Sequence, residues 1–211
     1  MNKDLANIRK DYLKGSISVD SMPENPLEAL QNWVNQAIES EVEEPTAMNI
    51  ATISQSKFPH SRVVLLKEIN SEGLVFFTNY NSQKGQDIAF NPNVAVNFFW
   101  PALERQVRVH CVAAKISAAD SDAYFYSRPK ASQAGAIVSA QSSEIDKDEN
   151  LEAKIAAILE SNDEIKRPKH WGGFILIPEY FEFWHGRASR IHDRIAYSQN
   201  SGAWIRKRLS P

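Results

Sequence analysis

Residues 182 to 194 read EFWHGRASRIHDR, and whether this stretch runs as strand decides what kind of fold the chain builds. Tyr180–Trp184 and Ser189–Tyr197 both read as strands, rich in aromatic and β-branched residues. Within the second, Arg190, His192 and Arg194 fall at every second position. Strand geometry puts these three on one face and turns Ile191 and Asp193 to the other. Two guanidiniums and an imidazole crowded on one face repel one another unless an anion or an electron-rich ligand lies against them. The alternative is a solvated edge strand, where arginine is common and salt screens the crowding.

Working outward, Gly172–Ile177 is a third late strand. Earlier strand-like runs lie at Ala47–Ile53, Arg62–Lys67, Leu74–Thr78, Val94–Trp100 and Arg105–Ile116. Gly and Ser-Glu-Gly punctuation separates several of them. Helices fall between. Asn25-Pro26-Leu27-Glu28 is a helix start with a capping Asn and Pro at the first position, followed by a stripe of Leu27, Leu30, Val34, Ala37 and Ile38. Ser82 can cap a short helix that ends before Asn91-Pro92. Residues 120–139 read as helix with a break at Pro129, and residues 150–160 as an amphipathic helix. The pattern predicts a mainly β fold, a mostly antiparallel barrel with peripheral helices. Residues 1–24 are polar and read as a mobile N-terminal arm. Residues 25–211 read as a single domain with helices inserted at about 120–165.

Composition narrows the function classes. With 43% hydrophobic and 24% charged residues, the 211-residue chain is ordinary for a soluble globular domain. A net charge of −2 offers no global basic field for nucleic acid. The single cysteine, Cys111, excludes an intrachain disulfide framework and a Cys-based metal site, and the histidines are too scattered for zinc, so no metal is expected. No apolar run approaches a membrane span. MNKDLANIRKDY lacks an apolar secretory core, so a cytoplasmic location is expected.

Several segments could bind anions. Arg62 and Lys67 sit five residues apart, so a strand through them would present the two cations on opposite sides and could serve two separate anions. Ser82-Gln83-Lys84-Gly85 opens a predicted helix, where free N–H groups, the helix dipole and Lys84 suit a phosphate. In Arg105-Gln106-Val107-Arg108, Gln106 and Arg108 share a face, and the Gln106 amide suits the edge of a heterocycle. Tyr124 and Arg128 share a helical face, and Ser132 follows in the first turn of the next helix. Together they make a candidate phosphate pocket. Bland readings compete at each place: solvated strand ends, an ordinary capped helix, a helix–helix joint with surface polars. Trp184 could be core or a stacking surface.

Taken together, these segments resemble the pyridoxamine 5′-phosphate oxidase family. The resemblance runs from Arg9-x-x-Tyr12 to Trp204…Arg208-Leu209-Ser210-Pro211 through RVVLLK, SQKG, NPNVAVNFFW, RQVR, YFYSRPKASQAGAIVSAQSS, WGGF, EFWHG and RIHDR. It implies a split β-barrel, a homodimer, and FMN bound at the dimer interface. Arg62 and Lys84 would hold the FMN phosphate, with Gln83 beside them. Val63, Val64, Leu65, Leu66, Lys67, Phe77, Thr78, Gln106, Gln141, Ser142, Trp184 and Arg194 would line the flavin. Lys67, Tyr124, Arg128 and Ser132 would take the substrate phosphate. Arg190 and His192, the catalytic pair, would lie against the substrate with Ile191 between them. Arg9 and Tyr12 would belong to an arm that closes over it.

The implied reaction oxidises pyridoxamine or pyridoxine 5′-phosphate to pyridoxal 5′-phosphate with O2 as acceptor, giving H2O2, in vitamin B6 cofactor biosynthesis. Gln83 stands where the family usually has Arg, His185 where Gln is usual, and Phe77 where Tyr is common. Two rival readings are another split-barrel flavin oxidoreductase and a non-catalytic carrier of FMN or pyridoxal phosphate. The first has no use for the Tyr124/Arg128/Ser132 pocket, and the second none for Arg190 and His192.

Overall fold

Strands with buried alternate positions account for most of the regular structure. The computed structural model describes Asn7, residues 11–161 and residues 163–211. Among these residues nine strands occur: β1 (Ala47–Ile53), β2 (Pro59–Leu65), β3 (Glu68–Ile69), β4 (Leu74–Asn79), β5 (Asn93–Trp100), β6 (Arg105–Lys115), β7 (Trp171–His185), β8 (Asp193–Asn200) and β9 (Ala203–Leu209). Five helices accompany them: α1 (Pro26–Glu39), α2 (Gln83–Phe90), α3 (Ala118–Ser127), α4 (Lys130–Val138) and α5 (Leu151–Glu160). Hydrogen bonding links the strands in the order β2-β1-β5-β6-β7-β4-β3, with β8 joining β7 and β9 joining β8.

The chain divides into two compact units. One comprises residues 1–48, 96–110 and 179–211; the other comprises 49–95 and 111–178. In the first unit, α1 starts where the sequence says: the Asn25 side chain accepts from the Leu27 N–H at 2.9 Å, and Pro26 occupies the first turn. Leu27, Leu30, Val34 and Ala37 are buried as expected, with Trp33 beside them, whereas Ile38 is exposed. Trp33 meets Phe183 edge-on at 5.1 Å. The β7–β8 pairing is antiparallel, with Phe183 opposite Ile195 and Trp184 opposite Arg194. Described residues of the expected arm form no α-helix or strand, and several of them are fastened along this unit. The backbone N–H groups of Lys14 and Ile17 donate to Glu104 and Asp193, and the Pro23 carbonyl accepts from the buried Tyr197 hydroxyl at 2.7 Å.

In the second unit, β4 pairs antiparallel with β7, placing Phe76 opposite Phe174 and Leu74 opposite Leu176. These four side chains are almost wholly buried. The buried Ser82 caps α2 through the Gly85 N–H, as the sequence suggests. Pro129 separates α3 from α4, sitting at the N-cap position rather than at the first helical one.

Four details differ from the sequence reading. Gly172–Ile177 and Tyr180–Trp184 belong to one strand, β7. Pro178 lies between the stretch paired to β4 and the stretch paired to β8, where its missing N–H removes no bond from either ladder. The 62–67 strand stops at Leu65. The short β3 and the terminal β9 were not anticipated. The 189–197 strand begins only at Asp193, because Ser189 and Arg190 take left-handed conformations, φ 57° and 60°.

Candidate functional site

The second unit holds a cavity of about 760 Å³. Of the residues expected to bind cofactor or substrate, twelve line it: Arg62, Val63, Val64, Leu65, Lys67, Phe77, Thr78, Lys84, Tyr124, Arg128, Ser132 and Gln141. Asn79, Gly135, Ser139 and Trp171 join them, without having been singled out in the sequence. Arg62 and Lys67 both line this one cavity, and their placement on opposite sides of one strand does not apply. Lys67 lies beyond the end of β2, and strand alternation no longer governs where it faces. Leu66 is buried in the core and does not line the cavity. Nor do Gln83 and Ser142; the Gln83 amide points to Asp87 Oδ1 at 3.5 Å, and Ser142 is an exposed turn residue with φ 71°.

Two cation sets serve the cavity. The first is Arg62 with Lys84. Arg62 Nη1 donates to Thr52 Oγ1 at 2.7 Å, and its Nη2 lies 3.6 Å from the Asp87 carboxylate. Burial lowers the Arg62 pKa, and the charge of Asp87 opposes the shift. Lys84 is only 7% exposed. Its ammonium donates to Gln141 Oε1 at 3.1 Å, Thr78 Oγ1 at 3.2 Å and Ser82 Oγ at 3.3 Å, all neutral oxygens. Burial, and next the nearby Arg62 charge, push its pKa down. A buried cation with no carboxylate among its described partners is costly unless an anion arrives.

The second set is Arg128 with Lys67, Tyr124 and Ser132. Arg128 caps the end of α3, and its guanidinium lies over the Trp171 ring at 4.6 Å. Its Nη1 is buried and has no hydrogen-bond partner among the described residues. Burial lowers the Arg128 pKa and raises that of Tyr124. Tyr124 stacks on Phe77 at 3.7 Å, and both rings lie nearly parallel to Trp171. The cavity therefore combines a flat aromatic wall with two groups of donors that, among the described residues, have no anionic partner apart from Asp87 at Arg62.

The first unit holds the remaining expected residues. Tyr12, Trp184 and His192 form one aromatic cluster, with centroid separations of 4.7 to 5.7 Å. Trp184 is thus a half-buried stacking surface rather than core. His192 Nδ1 lies 3.1 Å from the Arg187 backbone N–H and accepts from it, which leaves Nε2 to carry the proton of the neutral ring. Burial, then the Arg190 charge, lower the His192 pKa. Arg190 and Ile191 are exposed. Since Arg190 and His192 precede β8, the shared strand face with Arg194 is not formed. Arg194 is the second residue of β8, and its Nε donates to the buried Glu182 at 2.9 Å, which raises its pKa. Gln106 is half-buried on β6. Arg9 lies outside the described residues.

The comparisons with known proteins agree across the chain. Residues 34–162 match the sequence family described as pyridoxamine 5′-phosphate oxidase, and residues 171–211 match the pyridoxine 5′-phosphate oxidase C-terminal dimerisation region. The pyridoxine/pyridoxamine 5′-phosphate oxidase of Mannheimia succiniciproducens is 52% identical over 209 residues, covering 99% of each chain. The enzyme of the same name from Neisseria gonorrhoeae is 51% identical, over 99% of this chain and 100% of its own. Among solved structures, PhzG from Burkholderia lata superposes with a TM-score of 0.87 at 27% identity, covering 93% of this chain and all of that one. A pyridoxamine 5′-phosphate oxidase-related, FMN-binding protein from Nostoc punctiforme shares the fold at a TM-score of 0.74 and 16% identity. The fold is accordingly the mainly β split barrel, and the chain belongs to the pyridoxamine 5′-phosphate oxidase family.

Proposed function

We propose that this chain oxidises pyridoxamine 5′-phosphate or pyridoxine 5′-phosphate to pyridoxal 5′-phosphate, with FMN as cofactor and O2 as electron acceptor. The observation that carries the reading is the pair of cation sets on one aromatic-walled cavity. A flavin mononucleotide and a phosphorylated vitamer bring two phosphates and two flat rings, and the cavity supplies donors and a stacking wall for such groups. Its volume is in the range of small-molecule sites.

The residues present fit FMN. The buried, uncompensated Lys84 and the Arg62 fork would hold its phosphate, and Gln141 and Thr78 offer polar contacts nearby. Gln106, Trp184 and Arg194 are further proposed flavin contacts. The chemistry supplied by bound FMN is acceptance of a hydride equivalent from the exocyclic carbon and delivery of two electrons to O2, which becomes H2O2. The chain's own work is to bind and orient. Arg128, through its unpartnered Nη1, with Lys67, Tyr124 and Ser132, would fix the substrate phosphate and so the position of the ring. His192, neutral and protonated on Nε2, would orient the substrate or hold a proton there. Arg190 would favour developing negative charge on the substrate. Arg9 and Tyr12 belong to an arm spanning residues 1–24 that would close over the substrate, ahead of a single FMN-binding domain over 25–211.

The enzyme works as a homodimer, the C-terminal match being to a dimerisation region. A cytoplasmic location is part of the same proposal; no helix among the described residues is long and apolar enough to cross a membrane. Aerobic incubation of the FMN-loaded protein with pyridoxine 5′-phosphate tests the reading. The expected result is equal amounts of aldehyde and peroxide. A protein that binds FMN and releases neither would be a carrier, and one that turns over only with a nicotinamide donor would be a reductase.

A further inference from the structure

Beside the first cation set lies a carboxylate to which neither the sequence reading nor the proposed reaction gives a role. Asp87, on α2, is 3% exposed. Its Oδ2 accepts from the Thr52 hydroxyl at 2.7 Å, lies 2.9 Å from His60 Nδ1 and sits 3.6 Å from Arg62 Nη2. We propose that Asp87 is a positioning residue for the anion site, acting through Thr52 and His60 to hold the Arg62 guanidinium in the cavity wall. The inference rests on the reading that the Arg62–Lys84 set binds the FMN phosphate.

Thr52 has one hydroxyl proton, and it goes to Asp87. The hydroxyl lone pairs are thereby turned to Arg62, whose Nη1 donates to them at 2.7 Å. The same Nη1 reaches the carbonyls of His60 at 3.4 Å and Ile50 at 3.5 Å. Asp87 remains ionised. Burial opposes the charge, but the hydrogen bonds from Thr52, His60 and Gln83 prevail and hold its pKa below the usual carboxylate value. An ionised Asp87 requires His60 to donate from Nδ1, which fixes the imidazole against the same strand that carries Arg62. Asp87 does not line the cavity. A bare negative charge near a phosphate would weaken anion binding; a carboxylate that immobilises the guanidinium strengthens it. The two roles predict opposite signs, which makes the proposal decidable.

Gln83 has a place in this arrangement. Its amide donates toward Asp87 Oδ1, not into the cavity. An arginine at position 83 could pair with Asp87 and compete with Arg62 for it.

The test is FMN affinity by fluorescence titration for the wild type, Asp87→Asn, Thr52→Val and Arg62→Ala, and for each of the first two changes combined with Arg62→Ala. Asp87→Asn is expected to weaken FMN about tenfold in the wild type, the scale of one charge-assisted contact, and to change little in the Arg62→Ala background. Thr52→Val should show the same dependence on Arg62 with a smaller loss, and it carries the test if Asp87→Asn does not fold. Equal losses in both backgrounds would show a general structural role and overturn the proposal, as would tighter binding by Asp87→Asn. A wild type that binds no FMN would instead overturn the assignment of the site.

Discussion

Lys84 shows at one residue how the cavity trades apo stability for binding. Its ammonium is desolvated and, among the described residues, bonded to neutral oxygens alone, so the FMN-free protein carries a cost that the proposed phosphate would offset. Lys84→Met should therefore leave the melting temperature of the FMN-free protein unchanged or raised, while weakening FMN by about tenfold or more. Thermal melts with and without FMN check both halves. His185 raises a separate question of protonation. It is buried at 1% exposure, with Nδ1 3.0 Å from the Gly186 carbonyl, and burial lowers its pKa, with Arg105 adding to the shift and Asp193 and Glu104 opposing it. The unfolded chain then binds the proton more readily, so stability is whole above about pH 6.5 and falls as pH drops below it. His185→Gln should flatten that fall in urea midpoints measured from pH 7.5 to 5. The same slope in both proteins would show that other groups cause it. His192 is proposed to act neutral, so its acid limb in kcat/KM should lie below that of an ordinary histidine and vanish in His192→Gln.

At the scale of elements, Gly186 follows β7 and touches the segment expected as an arm. A Cβ there would lie 2.6 Å from the Tyr12 ring. Gly186→Ala should push Tyr12 away from Trp184 and His192, raising KM for the vitamer with little change in FMN affinity. Faster proteolysis within residues 11–17 would accompany the change, and an unaltered KM would deny Tyr12 a part in substrate binding. The elements also show what the sequence could and could not reveal. Caps were legible because Asn25 and Ser82 act on neighbours two or three residues away. Most strands were legible from alternation and punctuation. The Arg190–Arg194 alternation misled: two left-handed residues, Ser189 and Arg190, set the local path, and nothing in their side chains announces it. Pro178 misled in the other direction, since a proline between two ladders does not end a strand. Arg62, Lys84, Tyr124 and Arg128 were identifiable as chemistry, but Trp171 was not. Its role depends on Phe77 and Tyr124 stacking beside it, and those residues come from β4 and α3, far from Trp171 in sequence. Asp87 escaped for the same reason, since its partners come from β1 and β2.

At the scale of the whole molecule, the proposed dimer predicts one sedimenting species of twice the chain mass at micromolar concentration. A monomer that keeps tight FMN binding would contradict it. The β4–β7 ladder has a further consequence, for how the protein is made. It joins Val75 to Ile175, partners 175 − 75 = 100 positions apart. Every residue between them must be synthesised before that ladder can close, and β8 and β9 are synthesised later still. Folding that waits on such distant pairing is slow, on the order of milliseconds to seconds, with the early strands exposed meanwhile. The cavity wall formed by Phe77 on β4, Tyr124 on α3 and Trp171 on β7 assembles from elements likewise distant in sequence, so cofactor capture should be a late event. In stopped-flow refolding, FMN quenching is expected to lag the gain of far-ultraviolet signal.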